Sequence, residues 1–112
     1  MQVSSRQVRK ATIFDVSGDI DLASSPELRN VLLHELRENR SLHVICNLSN
    51  VNYIDSSGIA SLVEALKASR DLGSHLVLFG LSPIAREVLH LSRLLKVFEI
   101  YDDEDQALRS SD

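Results

Sequence analysis

The sequence has no tryptophan and few other rings: three phenylalanines and two tyrosines among 112 residues. That shortage excludes a core built on aromatic stacking, so leucine, valine and isoleucine must fill it. One cysteine, Cys46, excludes an intrachain disulfide. It lies within His43-Val44-Ile45-Cys46-Asn47-Leu48, which reads as a buried strand in which a thiol acts as a small hydrophobe. The four glycines, at 18, 58, 73 and 80, are isolated, which excludes a glycine-rich phosphate cradle. No window approaches the ~20 apolar residues of a bilayer-spanning helix. Met1-Gln2-Val3-Ser4-Ser5 has no apolar core of a secretory signal. A soluble, cytoplasmic chain with no direct membrane binding is therefore expected. Positive charge is scarce too, with 12 Lys and Arg against 16 Asp and Glu and a net charge of −4. That is not a nucleic-acid footprint, and the one cationic cluster, Arg6, Arg9 and Lys10, reads as solvated strand or turn residues.

Catalytic and metal chemistry are equally thin. A serine hydrolase needs a nucleophile, a base and an orienting group. No Gly-x-Ser-x-Gly elbow occurs, and His34, His43, His75 and His90 fall on helix, strand-edge and turn patterns without a shared focus. No two His or Cys stand at ligand spacing. The expectation is a chain that is not an enzyme, with no catalytic residues, no cofactor and no metal.

What remains is an ordinary apolar content, 44%, organised as alternating strands and helices. The length suits one domain, residues 1–112, with a core that needs no staples. Residues 3–8 and 11–17 read as two strands joined at Arg9-Lys10, the second with alternating apolar and polar positions and one buried face, ended by Gly18-Asp19-Ile20-Asp21. Ser24-Ser25-Pro26-Glu27 is a helix start: a cap oxygen, a proline in the first turn and an acid at the positive pole. Leu28, Val31, Leu32 and Leu36 supply its buried stripe, and the helix ends near Asn39. Residues 42–48 form a central strand, with Asn47 as a buried amide satisfied by backbone. Residues 55–72 form a second helix with Ile59, Leu62, Val63 and Leu66 at i, i+3, i+4 and i+7, stopped by Gly73. Residues 76–79 are a strand. Ser82-Pro83 opens a third helix with stripe Ile84, Val88, Leu91 and Leu95. Residues 97–101 make a last edge strand, and Asp102-Asp103-Glu104-Asp105 leads into a short helix. The order β-β-α-β-α-β-α-β-α implies right-handed crossovers and an α/β fold, a mixed sheet with helices packed against it and the first strands antiparallel.

The most specific stretch is Tyr53-Ile54-Asp55-Ser56-Ser57-Gly58, where a strand hands over to the second helix. With Asp55 as N-cap, Ser56 and Ser57 occupy the first turn. Asp55 accepts a first-turn N–H and fixes the loop, Ser56 keeps its hydroxyl out toward a partner, and Gly58 lets another backbone come close. Ser57 either completes the cap or is the secondary candidate for modification. Asp19 and Asp21 read equally as turn acids and as part of an interface.

In that setting the chain resembles a STAS domain, and within that group the bacterial anti-sigma factor antagonists. The resemblance covers about residues 8–108. It is carried by Val51-Asn52-Tyr53-Ile54-Asp55-Ser56-Ser57-Gly58-Ile59, with support from Val16-Ser17-Gly18-Asp19-Ile20-Asp21 and Leu81-Ser82-Pro83. It implies a STAS fold and a switch in transcription regulation. The unphosphorylated antagonist binds an anti-sigma factor serine kinase and frees the sigma factor. That kinase phosphorylates the first serine after the aspartate, here Ser56, and turns the antagonist off. A PP2C-type phosphatase restores it. The partner surface would comprise Asp21, Asp55, Ser56, Ser57 and Gly58. A second implied role is that of a STAS accessory subunit of a membrane ABC transporter, as in lipid export, where the fold would bind an ATPase constitutively. The Ser56-Ser57 pair favours the first.

Overall fold

The computed structural model describes residues 1–110. Its elements run β1 (Gln2–Val8), β2 (Ala11–Ile20), α1 (Ser25–Arg37), β3 (His43–Ile54), α2 (Ser56–Asp71), β4 (His75–Phe79), α3 (Pro83–Leu91), β5 (Ile100–Tyr101) and α4 (Glu104–Arg109). The order of strands and helices is the one expected. Five strands form one mixed sheet in the spatial order β1-β2-β3-β4-β5. β1 and β2 are antiparallel, and each later pair is parallel.

Because each parallel strand is laid down beside its predecessor in one direction, right-handed crossovers put α1, α2 and α3 on the same face. The main core forms there, where Val16, Val44, Cys46, Leu48, Leu76 and Leu78 meet Leu28, Leu32, Leu36, Leu62 and Leu89. The opposite face carries a smaller cluster of Ala11, Ile13, Ile45, Val77 and Phe79, closed by Ala107 and Leu108 of α4. Arg6 fastens that cover by pairing with Asp15 on β2 and with Glu104 on α4. Cys46 is wholly buried, and burial pushes its thiol up to about 12.

Several expectations need correction. β2 is buried on both faces at its start, Ala11 to Phe14, because α4 covers what was read as a solvent side. It also continues to Ile20: Gly18 at φ +86 is accommodated within the strand, and register shifts between Asp15 and Ser17 and between Gly18 and Asp19 bend the β2–β3 ladder without ending it. β3 likewise runs on to Ile54, its last seven residues lying beyond the stretch that pairs with β4. Ser24 stands at the N-cap of α1, but its side chain makes no cap bond there. It turns back instead to the Asp21 N–H, at 2.9 Å. On α3 the buried positions are Ala85 and Leu89, with Val88 partly covered, whereas Ile84 and Leu91 are exposed. The helix ends at Leu91 and the chain turns through Arg93 at φ +60. Leu95 therefore lies outside the helix, where it still packs against the core as Val88 does, while Ile84 and Leu91 of the expected stripe do not. That turn also shortens the last strand to Ile100–Tyr101, while Phe98 plugs the core just before it.

Candidate functional site

The parallel strands β2 and β3 end side by side, with Ile20 in register with Ile54. Their C-terminal ends therefore deliver two loops to one place, the β2–α1 loop and the entry to α2. The Asp55 N–H donates to the Ile20 carbonyl at 3.1 Å, which fastens the second loop to the first.

Asp55 is the N-cap of α2, in extended conformation. Its Oδ1 accepts the N–H of Ser57 at 2.9 Å, the N–H of Gly58 at 3.2 Å and the hydroxyl of Ser57 at 2.5 Å. The Ser57 hydroxyl foremost, then the amides of Gly58, Ser57 and Leu22, hold the Asp55 carboxyl below the usual aspartate range against a smaller opposing effect of desolvation. Two of the orphan donors of the helix start are thereby satisfied from within.

The other site residues divide sharply. Ser56, the first residue of α2, is exposed, and its hydroxyl has no hydrogen-bond partner among the described residues. Ser57 is half-buried and engaged on Asp55, the cap-completing role expected as one of its two readings. Gly58 is buried, and the backbone that comes close to it belongs to this chain. A Cβ there would stand 2.7 Å from both Ile20 Cγ2 and Ile54 Cγ1 and 3.1 Å from the Ile20 carbonyl. Its missing side chain thus lets α2 start tight against the ends of β2 and β3, where the sequence reading had it open to a partner.

Asp21 organises the β2–α1 loop. Its Oδ1 accepts the N–H groups of Ala23 and Ser24, both at 3.0 Å. Asp19, two residues earlier, is exposed. Asn47, expected to be satisfied by backbone, is satisfied mainly by side chains. Its amide donates to Asp15 at 2.8 Å, and its oxygen accepts the hydroxyl of Ser49 at 2.6 Å and the N–H of Ser49 at 3.1 Å.

Two apolar side chains beside the site had no role in the sequence reading. Leu22, next to Asp21, is 77% exposed, and Tyr53, two residues before Asp55, is 48% exposed. The signal for Leu22 is a lone leucine in a polar turn, outside every periodic stripe. Next to Ser56, α2 and the turn after α3 form an open groove of about 700 Å³. Its walls are Ile59, Ala60, Val63 and Leu94, with Glu64 and Lys67 farther along α2. An exposed serine hydroxyl, two exposed apolar side chains and a groove thus lie close to one end of the sheet. Among the described residues no group of three or more His, Cys, Asp or Glu is placed to hold a metal ion, and no helix is long and apolar enough to cross a membrane.

Comparison with known proteins places this arrangement. A model of the STAS domain family matches residues 2–107. An anti-sigma-B factor antagonist of Listeria monocytogenes is 31% identical over 107 residues, covering 95% of this chain and 91% of the relative. An anti-sigma F factor antagonist of Paenibacillus polymyxa is 26% identical over 108 residues, covering 96% and 92%. Among solved structures, the Bacillus cell fate determinant SpoIIAA in its phosphorylated form superposes with a TM-score of 0.78 at 18% identity, covering 99% of this chain and all of that one.

Proposed function

Because this chain belongs to the STAS domain family, among the anti-sigma factor antagonists, we propose that it is a protein-binding switch controlled by phosphorylation of Ser56. In the unphosphorylated state it binds an anti-sigma factor that is also a serine kinase, and so releases a sigma factor. Phosphate on Ser56 ends that binding, and a PP2C-type phosphatase reverses the modification. The chain acts as a binding protein and regulator.

The observation that carries this reading is the state of the Ser56 hydroxyl: exposed, without an internal partner, and fixed on the first turn of a helix whose cap is tied to the sheet. A kinase must hold an acceptor oxygen in line with a bound γ-phosphate, and a rigid helix start meets that demand better than a mobile tail. The partner's contact surface would take in Asp21, Asp55, Ser56 and Ser57, with Leu22 and Tyr53 as exposed apolar anchors and the groove along α2 beside them. Gly58 contributes from beneath by setting where that turn begins.

The off state follows from charge. A phosphoserine brings about −1.5 to −2 charges next to the Asp55 carboxylate and the loop that carries Asp19 and Asp21. Burying that dianion in an interface opposes binding, and a cost of ~3 kcal/mol lowers affinity more than a hundredfold. The helix N-terminus offsets part of the charge, so the interface is disturbed more than the fold. That SpoIIAA, a protein of the same fold, has been solved in a phosphorylated form supports this expectation. Incubation with the cognate anti-sigma factor kinase and Mg-ATP, followed by mass spectrometry, tests the reading. One added phosphate on Ser56 is expected, and its absence from both serines would contradict it.

A further inference from the structure

We propose that Asp55 selects which of the two adjacent serines receives the phosphate. The inference rests on the reading of the α2 start as a phosphoacceptor site, and goes beyond it in assigning the choice of hydroxyl to one carboxylate.

Ser56 and Ser57 are chemically the same and one residue apart, yet their surroundings differ. The proton of the Ser57 hydroxyl is committed to Asp55 Oδ1 at 2.5 Å. The Ser56 hydroxyl is exposed and has no partner among the described residues. In the transfer, the bond between the γ-phosphorus and the ADP oxygen breaks, a bond from phosphorus to the serine Oγ forms, and the hydroxyl proton passes to a base of the kinase. At Ser56 nothing within the chain competes for that proton. At Ser57 the oxygen must first leave a charge-assisted hydrogen bond. The phosphorylated product would then press a dianion against the carboxylate it had been donating to.

Asp55 is also poorly suited to serve as a base for Ser57. Its carboxyl, held low by Ser57 itself and by the Gly58, Ser57 and Leu22 amides, binds a proton weakly. Nor is it free to swing aside. Its N–H is tied to the Ile20 carbonyl at 3.1 Å, and its Oδ1 holds two helix amides at 2.9 and 3.2 Å. Asp55 is thus a positioning residue: it locks one hydroxyl and leaves its neighbour as the acceptor.

The test uses the cognate kinase with Mg-ATP and site-resolved mass spectrometry on the wild type, Ser56→Ala, and Ser56→Ala combined with Asp55→Asn. The asparagine oxygen still accepts the cap amides while lacking the charge. The wild type is expected to carry phosphate on Ser56 and Ser56→Ala to carry almost none. The double variant should gain phosphate on Ser57, about tenfold or more faster than Ser56→Ala. A merely structural role for Asp55 would depress transfer at both serines and could not create a new acceptor. A double variant with a wild-type circular dichroism spectrum that stays as unreactive as Ser56→Ala overturns the proposal. So does a Ser56→Ala chain that takes phosphate on Ser57 at the wild-type rate. A wild type without phosphate at either serine overturns the phosphoacceptor reading, and the selection with it. A kinase-free measurement is NMR titration of the Asp55 carboxyl, which should move up toward the ordinary aspartate range in Ser57→Ala; an unchanged titration overturns the lock.

Discussion

Ser56 and Gly58 share one turn of α2 and face opposite ways, and that opposition is what makes the turn usable. Gly58 presses inward between Ile20 and Ile54 with no room for a methyl group, so the turn cannot lift off the sheet, while Ser56 points to solvent. Gly58→Ala should therefore cost about 1–3 kcal/mol, the usual penalty for overpacking a tight site. Urea unfolding would measure it, and phosphorylation of Ser56 should fall along with stability. Asp55, Ser56 and the ambiguity of Ser57 were all legible in the sequence, because a cap aspartate before two serines follows from backbone hydrogen-bond needs alone. The inward role of Gly58 was not. A glycine's missing side chain tells that something comes close without telling what, and the close neighbour, Ile20, lies 38 positions away in the chain.

At the level of elements, helix starts were read more reliably than strand ends. Ser82 caps α3 through the Ala85 N–H, and Asp103 caps α4 through the Gln106 N–H; these are local bonds between residues close in sequence. The length of β3 is set instead by its partner β2, which continues past Gly18 through two register shifts, and no local pattern encodes that. The phase of α3 failed for a related reason. Ile84 and Leu91 are as apolar as the buried Leu89, and only the entry angle from β4 decides which face meets the sheet. A pair of truncations checks that phase. Leu89→Ala, at 1% exposure, should destabilise by about 2–5 kcal/mol, whereas Leu91→Ala, at 70% exposure, should stay within about 0.5 kcal/mol of the wild type. Equal effects in thermal or denaturant unfolding would show that α3 is rotated from its place here.

Across the whole molecule, one buried acid joins three elements. Glu35 of α1, only 8% exposed, accepts hydrogen bonds from Thr12 on β2 at 3.0 Å, from Asn39 at 3.0 Å and from Ser41 in the loop before β3. Burial pushes its carboxyl up, but the bonds from Ser41, Asn39 and Thr12, with the nearby His34, outweigh it and hold the group below its ordinary value of 4.5. A carboxyl lowered by folding contributes stability that is fully present above its unfolded value and disappears as pH falls through the folded one. Stability should therefore decline as pH drops below about 4.5 in the wild type, and more gently in Glu35→Gln, with unfolding midpoints followed from pH 7 to pH 3. This latch sits near the start of β3, away from Ser56 at the strand's far end, so Glu35→Gln should leave phosphorylation by the kinase at its wild-type rate.

Asp55, its tie to Ile20 and the tight seat of Gly58 hold one hydroxyl still at the end of the sheet, and the proposed switch is the modification of that hydroxyl. The most direct measurement is titration calorimetry of the cognate anti-sigma factor kinase with the unmodified chain and with the chain phosphorylated on Ser56, alongside amide NMR spectra of both. Binding should weaken more than a hundredfold on phosphorylation, with shift changes confined to the β2–α1 loop and the first turns of α2. Equal affinities for the two forms, or a phosphorylated chain whose whole spectrum has collapsed, would contradict the account.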